Sequence, residues 1–226
     1  LYKIINKYKP DIVHTVAPKP NLYGGLISLF IKIDKTIMSI SGLGFLFTSN
    51  LNIKDYFKKI IYLFLLKFIF SNQRLQIIVQ NKNDYKFISK RFNFLNRLKL
   101  IKGGSGVEIK KFQNLKKIKN CKNVVFAGRL VINKGIKEFI DAAKLLKKEF
   151  PDWNFVIYGT NDYISHDRFD IRIYKNELKN KTIIYKGYKN NIIKILENTS
   201  IFCLPSYREG MPKSVLEAGA AGVPSI

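Results

Sequence analysis

Short apolar runs alternate with helix-period segments along nearly the whole chain, and this alternation restricts the fold more than any other feature. Ile12-Val-His14, Thr36 to Ser41, Leu75 to Val79 and Leu98 to Ile101 read as strands. Between them, Tyr23 to Lys32, Lys54 to Phe70 and Asn81 to Phe92 read as helices. Strands that take turns with helices predict a parallel sheet covered by those helices. Phe112 to Asn123 is polar and lysine-rich with no apolar period, which reads as a linker. The alternation then restarts. Val124 to Ala127, Phe155 to Tyr158, Ile183 to Tyr185 and Ile201 to Leu204 read as strands. Ile136 to Phe150 carries Ile136, Phe139, Ile140, Ala143 and Leu146 at helical spacing, and Ile192 to Glu197 reads as a short helix. The expected fold class is α/β, with two Rossmann-like lobes, both incomplete. They fall at 1–111 and 124–226, with 112–123 between them.

A chain of 226 residues, 46% hydrophobic, is long enough for either one large or two small cores. Cys121 and Cys203 are its two cysteines, too few for a disulfide framework or a zinc cluster. A reducing, cytoplasmic setting is expected, and the opening residues carry no signal-peptide pattern. The first residue enters a helix-like segment and Ile226 ends a strand-like Val-Pro-Ser-Ile run, so the expectation is a fragment of a longer protein. The formal charge of +24 should draw phosphate-rich partners, with an anionic membrane surface and a nucleotide as the leading candidates. A general bias toward Lys, Ile, Asn, Phe and Tyr competes as the cause. Nucleic acid is set aside, because no zinc-finger spacing or aromatic RNA-binding strand accompanies the scattered lysines. The apolar run within Lys54 to Phe70 falls short of the ~18 residues a membrane span needs. Its lysines spread round the helix, so a largely buried helix is expected rather than an interfacial one.

Two segments carry chemistry. Tyr207-Arg-Glu-Gly-Met-Pro-Lys-Ser-Val-Leu-Glu-Ala-Gly-Ala-Ala-Gly-Val-Pro224 follows a strand and opens a helix near Pro212. It sets Glu209 in a loop and Glu217 about one turn into the helix. Both then lie on the rim where open α/β sheets take ligands. The Gly210 and Met211 amides and the helix N-terminus offer N–H groups to an anion. Carboxylates that accept from hydroxyls beside amides that hold phosphate suit a sugar nucleotide. The second segment, Gly128-Arg-Leu-Val-Ile-Asn-Lys-Gly135, also joins a strand to a helix. Arg129 and Lys134 are placed to bind a diphosphate.

The first string resembles the retaining glycosyltransferases of family 4, whose Glu-x7-Glu motif runs P-S-x-x-E-G-x-P-x-x-x-x-E-A-x-A-x-G-x-P. Pro205, Ser206, Glu209, Gly210, Pro212, Glu217, Ala218, Ala220, Gly222 and Pro224 match it. Gly128 to Gly135 is similar to that family's donor-phosphate motif. The resemblance implies a GT-B fold. It implies that Arg129 and Lys134 contact the donor diphosphate, Glu209 the sugar hydroxyls and Glu217 the ribose. Shorter matches extend it: Lys9 to His14, Lys19-Pro20 with Gly24, Ser41 to Gly44, Gln80-Asn81 with Asp84, and Gly104 to Glu108. These resemble a bacterial subgroup that adds an N-acetylhexosamine or related sugar to undecaprenyl-diphosphate-linked intermediates. The implied partners are a nucleotide-sugar donor, a UDP-sugar for preference, and a lipid-linked glycan acceptor. The implied location is the cytoplasmic face of the plasma membrane.

Many members of the family place a histidine where Ser41 stands. His14 is another polar group at a strand end and reads as structural; His166 reads as surface. Gly103 to Gly106 leads into no helix and reads as a turn leaving the first lobe. No Asp-x-Asp occurs, so Arg129 and Lys134 are expected to do the work of a metal, with no cofactor. Two rival readings stay open: another enzyme of the same fold, such as a sugar-nucleotide epimerase or a phosphorylase, and an inactive basic module that binds membrane or nucleic acid.

Overall fold

The computed structural model describes residues 1–43, 47, 53–92, 95–101, 104, 106–161, 167–207 and 209–226. The chain divides into two units, Leu1–Gly104 with Arg208–Met211, and Ser105–Tyr207 with Pro212–Ile226.

The first unit runs α1 (Tyr2–Tyr8), β1 (Ile12–Val16), α2 (Pro18–Phe30), β2 (Lys35–Ile40), α3 (Ile53–Ile69), β3 (Leu75–Val79), α4 (Lys82–Arg91) and β4 (Leu98–Leu100). Its strands lie in the order β1-β2-β3-β4, all parallel. Such strands need apolar side chains on both faces, and Met38, Leu75, Ile77 and Val79 are fully buried between helices. Helix α2 begins five positions before the Tyr23 start read from the sequence. Pro18 stands at its first position, where a missing N–H costs nothing. Asn21, 1% exposed, locks that helix to the sheet. It accepts from the Thr15 hydroxyl at 2.8 Å and donates to the Ser39 carbonyl at 2.9 Å.

Helix α3 departs from the expectation of a largely buried helix. Tyr62, Leu63, Leu66 and Ile69 turn inward, and burial pushes the Tyr62 phenol up to about 12. On the other side Phe57, Ile61, Phe64 and Phe68 are 61%, 58%, 70% and 52% exposed. Apolar content told against water on every side of the helix, whereas the sheet has room for only one of them.

The second unit runs β5 (Asn123–Ala127), α5 (Ile136–Glu149), β6 (Asn154–Tyr158), α6 (Lys175–Lys179), β7 (Ile184–Tyr185), α7 (Ile192–Glu197), β8 (Ile201–Phe202) and α8 (Lys213–Ala220). Its strand order is β7-β6-β5-β8, again all parallel. Phe126, Ile136, Ile140, Ile157, Leu196 and Phe202 are fully buried in its core. After α8 the chain returns beside β8: the Phe202 N–H donates to the Pro224 carbonyl, and the Ile226 N–H to the Phe202 carbonyl, both at 2.9 Å.

The stretch read as a linker lies along this unit. Phe112 is buried in its core, the Ile118 N–H donates to the Glu197 carbonyl at 2.9 Å, and Lys117 Nζ to the Gly222 carbonyl at 2.5 Å. Residues 105–111, which the sequence reading gave to the first lobe, group with the second unit.

Phe202 is 0% exposed at the centre of this packing. The substitution Phe202→Ala should cost about 3–5 kcal/mol through lost burial and the cavity it leaves. Urea unfolding followed by circular dichroism measures it; a cost under about 1 kcal/mol would place Phe202 outside the cooperative core.

Candidate functional site

Strand β5 pairs with β6 on one side and β8 on the other, so strand order reverses across it. In open parallel sheets that reversal opens a crevice at the carboxyl ends of the strands. Two loops leave there, one after β5 and one after β8.

In the first loop Leu130 and Val131 are buried at 0% and 4% exposure, and the Leu130 N–H donates to the Thr160 carbonyl at 3.0 Å. These anchors leave Arg129 exposed and Lys134 half-buried. Lys134 ends a short 3-10 turn, Ile132–Lys134. Gly135 then caps α5 with φ 73°, a left-handed conformation that favours glycine. A Cβ there would also lie 2.0 Å from the Pro205 carbonyl oxygen in the second loop. The loops therefore touch backbone to backbone.

Two more bonds tie them. The Tyr207 N–H donates to the Asn133 carbonyl at 3.1 Å, and the Tyr207 hydroxyl donates to Glu138 on α5. That carboxylate holds the phenol above its ordinary value. Ser206 Oγ and the second Glu138 oxygen are buried without a hydrogen-bond partner among the described residues. Orphaned polar atoms are uncommon in folded proteins and gather where a ligand or water completes the set. Burial pushes the Cys203 thiol up, as suits an inert core cysteine.

A cavity of about 210 Å³ opens beside the first loop, lined by Gly128, Arg129, Tyr158, Thr160, Tyr188, Lys189, Ile192 and Ser214 among others. It lies at the ends of β5, β6 and β7 and the first turn of α8. That volume is below the range of about 300–1,000 Å³ for whole small-molecule sites, and suits one ring-sized part of a ligand. Tyr158, Thr160, Tyr188, Lys189 and Ser214 were not singled out from the sequence. The available signal was position: Gly159 and Gly187 each follow a strand, and loops at the carboxyl ends of parallel strands build sites.

Of the residues singled out, Arg129 and Lys134 share the first loop, and Arg129 lines the cavity. Glu217 sits within α8, one turn beyond Ser214. Its side chain is 15% exposed, with Lys213 Nζ at 3.6 Å. Helix α8 opens at Lys213 with Pro212 as its cap, as the sequence indicates. Glu209, Gly210 and Met211 group with the first unit. There the Glu209 carbonyl accepts from Asn81 Nδ2 at 3.5 Å, and Gly210 packs on the Ser41 carbonyl. Asn81 also caps α4, its Oδ1 accepting from the Asp84 N–H at 2.8 Å while its Nδ2 donates to the Asp84 carboxylate at 2.8 Å. His14 Nε2 lies 2.8 Å from Ser39 Oγ within the sheet. Gly104 and Gly106 have φ of 58° and 69°, in keeping with a turn. Gly44, Gly103, Ser105 and His166 lie outside the described residues.

Comparison with known proteins agrees with this architecture. The family described as glycosyl transferases group 1 matches residues 107–226, and the family described as glycosyl transferase 4-like matches 1–82. The UDP-Gal:alpha-D-GlcNAc-diphosphoundecaprenol alpha-1,3-galactosyltransferase of Escherichia coli is 30% identical over all of this chain and 59% of its own length. The N,N'-diacetylbacillosaminyl-diphospho-undecaprenol alpha-1,3-N-acetylgalactosaminyltransferase of Campylobacter jejuni is 30% identical over 98% of this chain and 60% of its own. The chain thus spans about 60% of the length of these two relatives. Among solved structures, TarM has a TM-score of 0.72 at 20% identity, covering 99% of this chain and 43% of TarM. HepE of Anabaena in complex with UDP has a TM-score of 0.73 at 15% identity, covering 99% of this chain and 60% of HepE. At those identities the likeness is one of fold, and that fold is GT-B. Two parallel α/β sheets, motif loops at the switch point and a family match over more than half of the residues converge: the chain belongs to the group 1 glycosyl transferases.

Proposed function

We propose that the protein is a retaining glycosyltransferase that moves a sugar, an N-acetylhexosamine or hexose, from a UDP-sugar to a hydroxyl of a lipid-linked glycan. The product feeds bacterial surface polysaccharide, lipopolysaccharide or glycoprotein glycan synthesis. The observation that carries this reading is the joining of the two motif loops at the β5 switch point, with Arg129 and Lys134 on one of them. The printed activities of the Escherichia coli and Campylobacter jejuni relatives, both on diphosphoundecaprenol-linked sugars, support the acceptor class.

In this reading Arg129 and Lys134 bind the donor diphosphate and stabilise its charge as the glycosidic bond breaks. The departing diphosphate takes the proton of the attacking hydroxyl on the same face of the sugar, so no side-chain nucleophile takes part. Glu209 accepts from the sugar hydroxyls, the Gly210 and Met211 amides donate to the donor, and Glu217 accepts from the ribose. The cavity next to Arg129 takes one ring of the nucleotide. The two side-chain cations replace a metal ion. No described helix is long and apolar enough to cross a membrane, and the protein meets its lipid-linked acceptor peripherally, on the cytoplasmic face of the plasma membrane.

Removing either cation deletes a charge-assisted contact worth about 1.5–3 kcal/mol, so Arg129→Ala or Lys134→Ala should lower turnover at least about tenfold with the fold intact. Mass spectrometry of lipid-linked products from the full-length enzyme measures it, and normal turnover in both variants would move the donor site elsewhere.

Activity should survive EDTA. Complete loss that Mg²⁺ or Mn²⁺ restores would overturn the metal-free reading.

Glu217→Gln should weaken UDP and UDP-sugar alike, because the ribose is common to both, whereas Glu209→Gln should lower turnover and disturb sugar choice. An acid with no ligand tolerates such an exchange within about 0.5 kcal/mol. Calorimetry with UDP and UDP-sugar separates the two cases, and unchanged affinity and turnover in both variants would remove the carboxylates from the site.

A further inference from the structure

The outer side of α3 is a continuous apolar strip on the first unit. At 3.6 residues per turn, Ile53, Phe57, Ile60, Ile61, Phe64 and Phe68 fall within an arc of about 100°. Each is between 47% and 79% exposed. Lys67 and Lys54 lie about 20° beyond its two edges, one on each side. Lys58 stands next to Lys54, with its ammonium 2.8 Å from the Asp55 carboxylate. Lys59 turns away from the strip, toward the Phe47 ring at 5.2 Å. The opposite side of the helix is taken up by the core.

A helix bound to water alone gains nothing from six large apolar side chains in a row, and contiguous patches of this kind mark contact surfaces. Several occupants fit apolar side chains alone. The lysines discriminate among them. Cations along both edges of an apolar strip match the boundary between acyl chains and anionic headgroups, where lysine stems lie along the hydrocarbon and their ammonium groups reach phosphate. A second copy of this chain would meet the same cations with its own, and the chain carries 40 Lys and Arg against 16 Asp and Glu. Like charges at both rims oppose that pairing.

We infer that α3 is a membrane-docking helix that lies in the plane of an anionic lipid surface, with Phe57, Ile61, Phe64 and Phe68 among the acyl chains and Lys54 and Lys67 at the headgroups. This rests on the peripheral-membrane part of the function proposed above and names the surface that performs it. It assigns α3 no part in donor binding.

The full-length protein should float with vesicles of mixed phosphatidylcholine and phosphatidylglycerol, and far less with phosphatidylcholine alone. The double variant Phe57→Ser, Phe64→Ser should lower vesicle partition about tenfold or more, because two of the four inserted side chains are lost. Lys54→Gln with Lys67→Gln should lower partition onto the anionic vesicles about tenfold or more while leaving partition onto phosphatidylcholine alone unchanged. Ile173→Ser, at a residue 70% exposed on the second unit, is the control and should change nothing. Circular dichroism and UDP calorimetry should be the same for all of these proteins, which separates loss of docking from loss of the donor site. Equal partition by the wild type and the phenylalanine variant would overturn the inference. So would a wild type that ignores vesicles, whether because a second copy covers the strip, seen as a dimer that the same substitutions dissociate, or because another part of the full chain covers it. In either case UDP affinity would still stand, and with it the glycosyltransferase reading.

Discussion

The parallel pairing of β5 with β8 is the contact on which the second unit depends. It rests on few bonds: Val124 opposite Ile201, Val125 opposite Phe202, and the Cys203 N–H donating to the Val125 carbonyl at 2.8 Å. That pairing places the loop after β8 beside the loop after β5. Everything argued for the site follows from it, including the backbone approach of Gly135 to Pro205 and the Tyr207 clasp on Asn133 and Glu138. A sheet in which β8 paired elsewhere would hold the same side chains in the same local loops, with no crevice between them.

Much of this was legible in the residues. Buried parallel strands demand apolar runs, so β3 at Leu75–Val79 falls where the pattern puts it, and α7 at Ile192–Glu197 falls where a short helix was read. The Glu-x7-Glu string located α8, because Pro212 marks a helix start. Other features were hidden for physical reasons. Strand β8 has two residues where four were expected, since its ladder to β5 ends with the Cys203 N–H on the Val125 carbonyl and the Leu204 N–H donates instead to the Ile226 carbonyl. The start of α2 was obscured by Pro18 and Pro20, residues that break helices everywhere except in the first turn, where these stand. Tyr158 in β6, Tyr188 in the loop after β7 and Ser214 in α8 meet only after folding, so spacing along the chain held no sign of them.

Helix α3 teaches a separate lesson about periodicity. Apolar residues all round a helix predict burial when the packed layers on both sides are present. Here one side of α3 meets the sheet of its own unit, and the other side keeps its phenylalanines and isoleucines exposed. The lysines looked scattered on the wheel because the strip they border had not been separated from the buried side. Once Tyr62, Leu63, Leu66 and Ile69 are assigned to the core, Lys54 and Lys67 fall at the two borders of what is left.

The β5–β8 contact also sets an order of events during folding. Asn123 and Ser200, which meet at the start of this pair, are 77 residues apart in the chain. Closing so long a loop is entropically costly, and parallel pairings of this kind form late. On the ribosome β5, α5 and β6 can assemble early, leaving the β5 edge open until residue 201 emerges. An open parallel edge is a template for foreign strands. On the proposed function, a nucleotide that bound only the joined loops would favour the completed sheet by mass action, and the donor would be a folding ligand as well as a substrate. Cells starved of the nucleotide sugar would then hold less of the protein, and not merely less of its product.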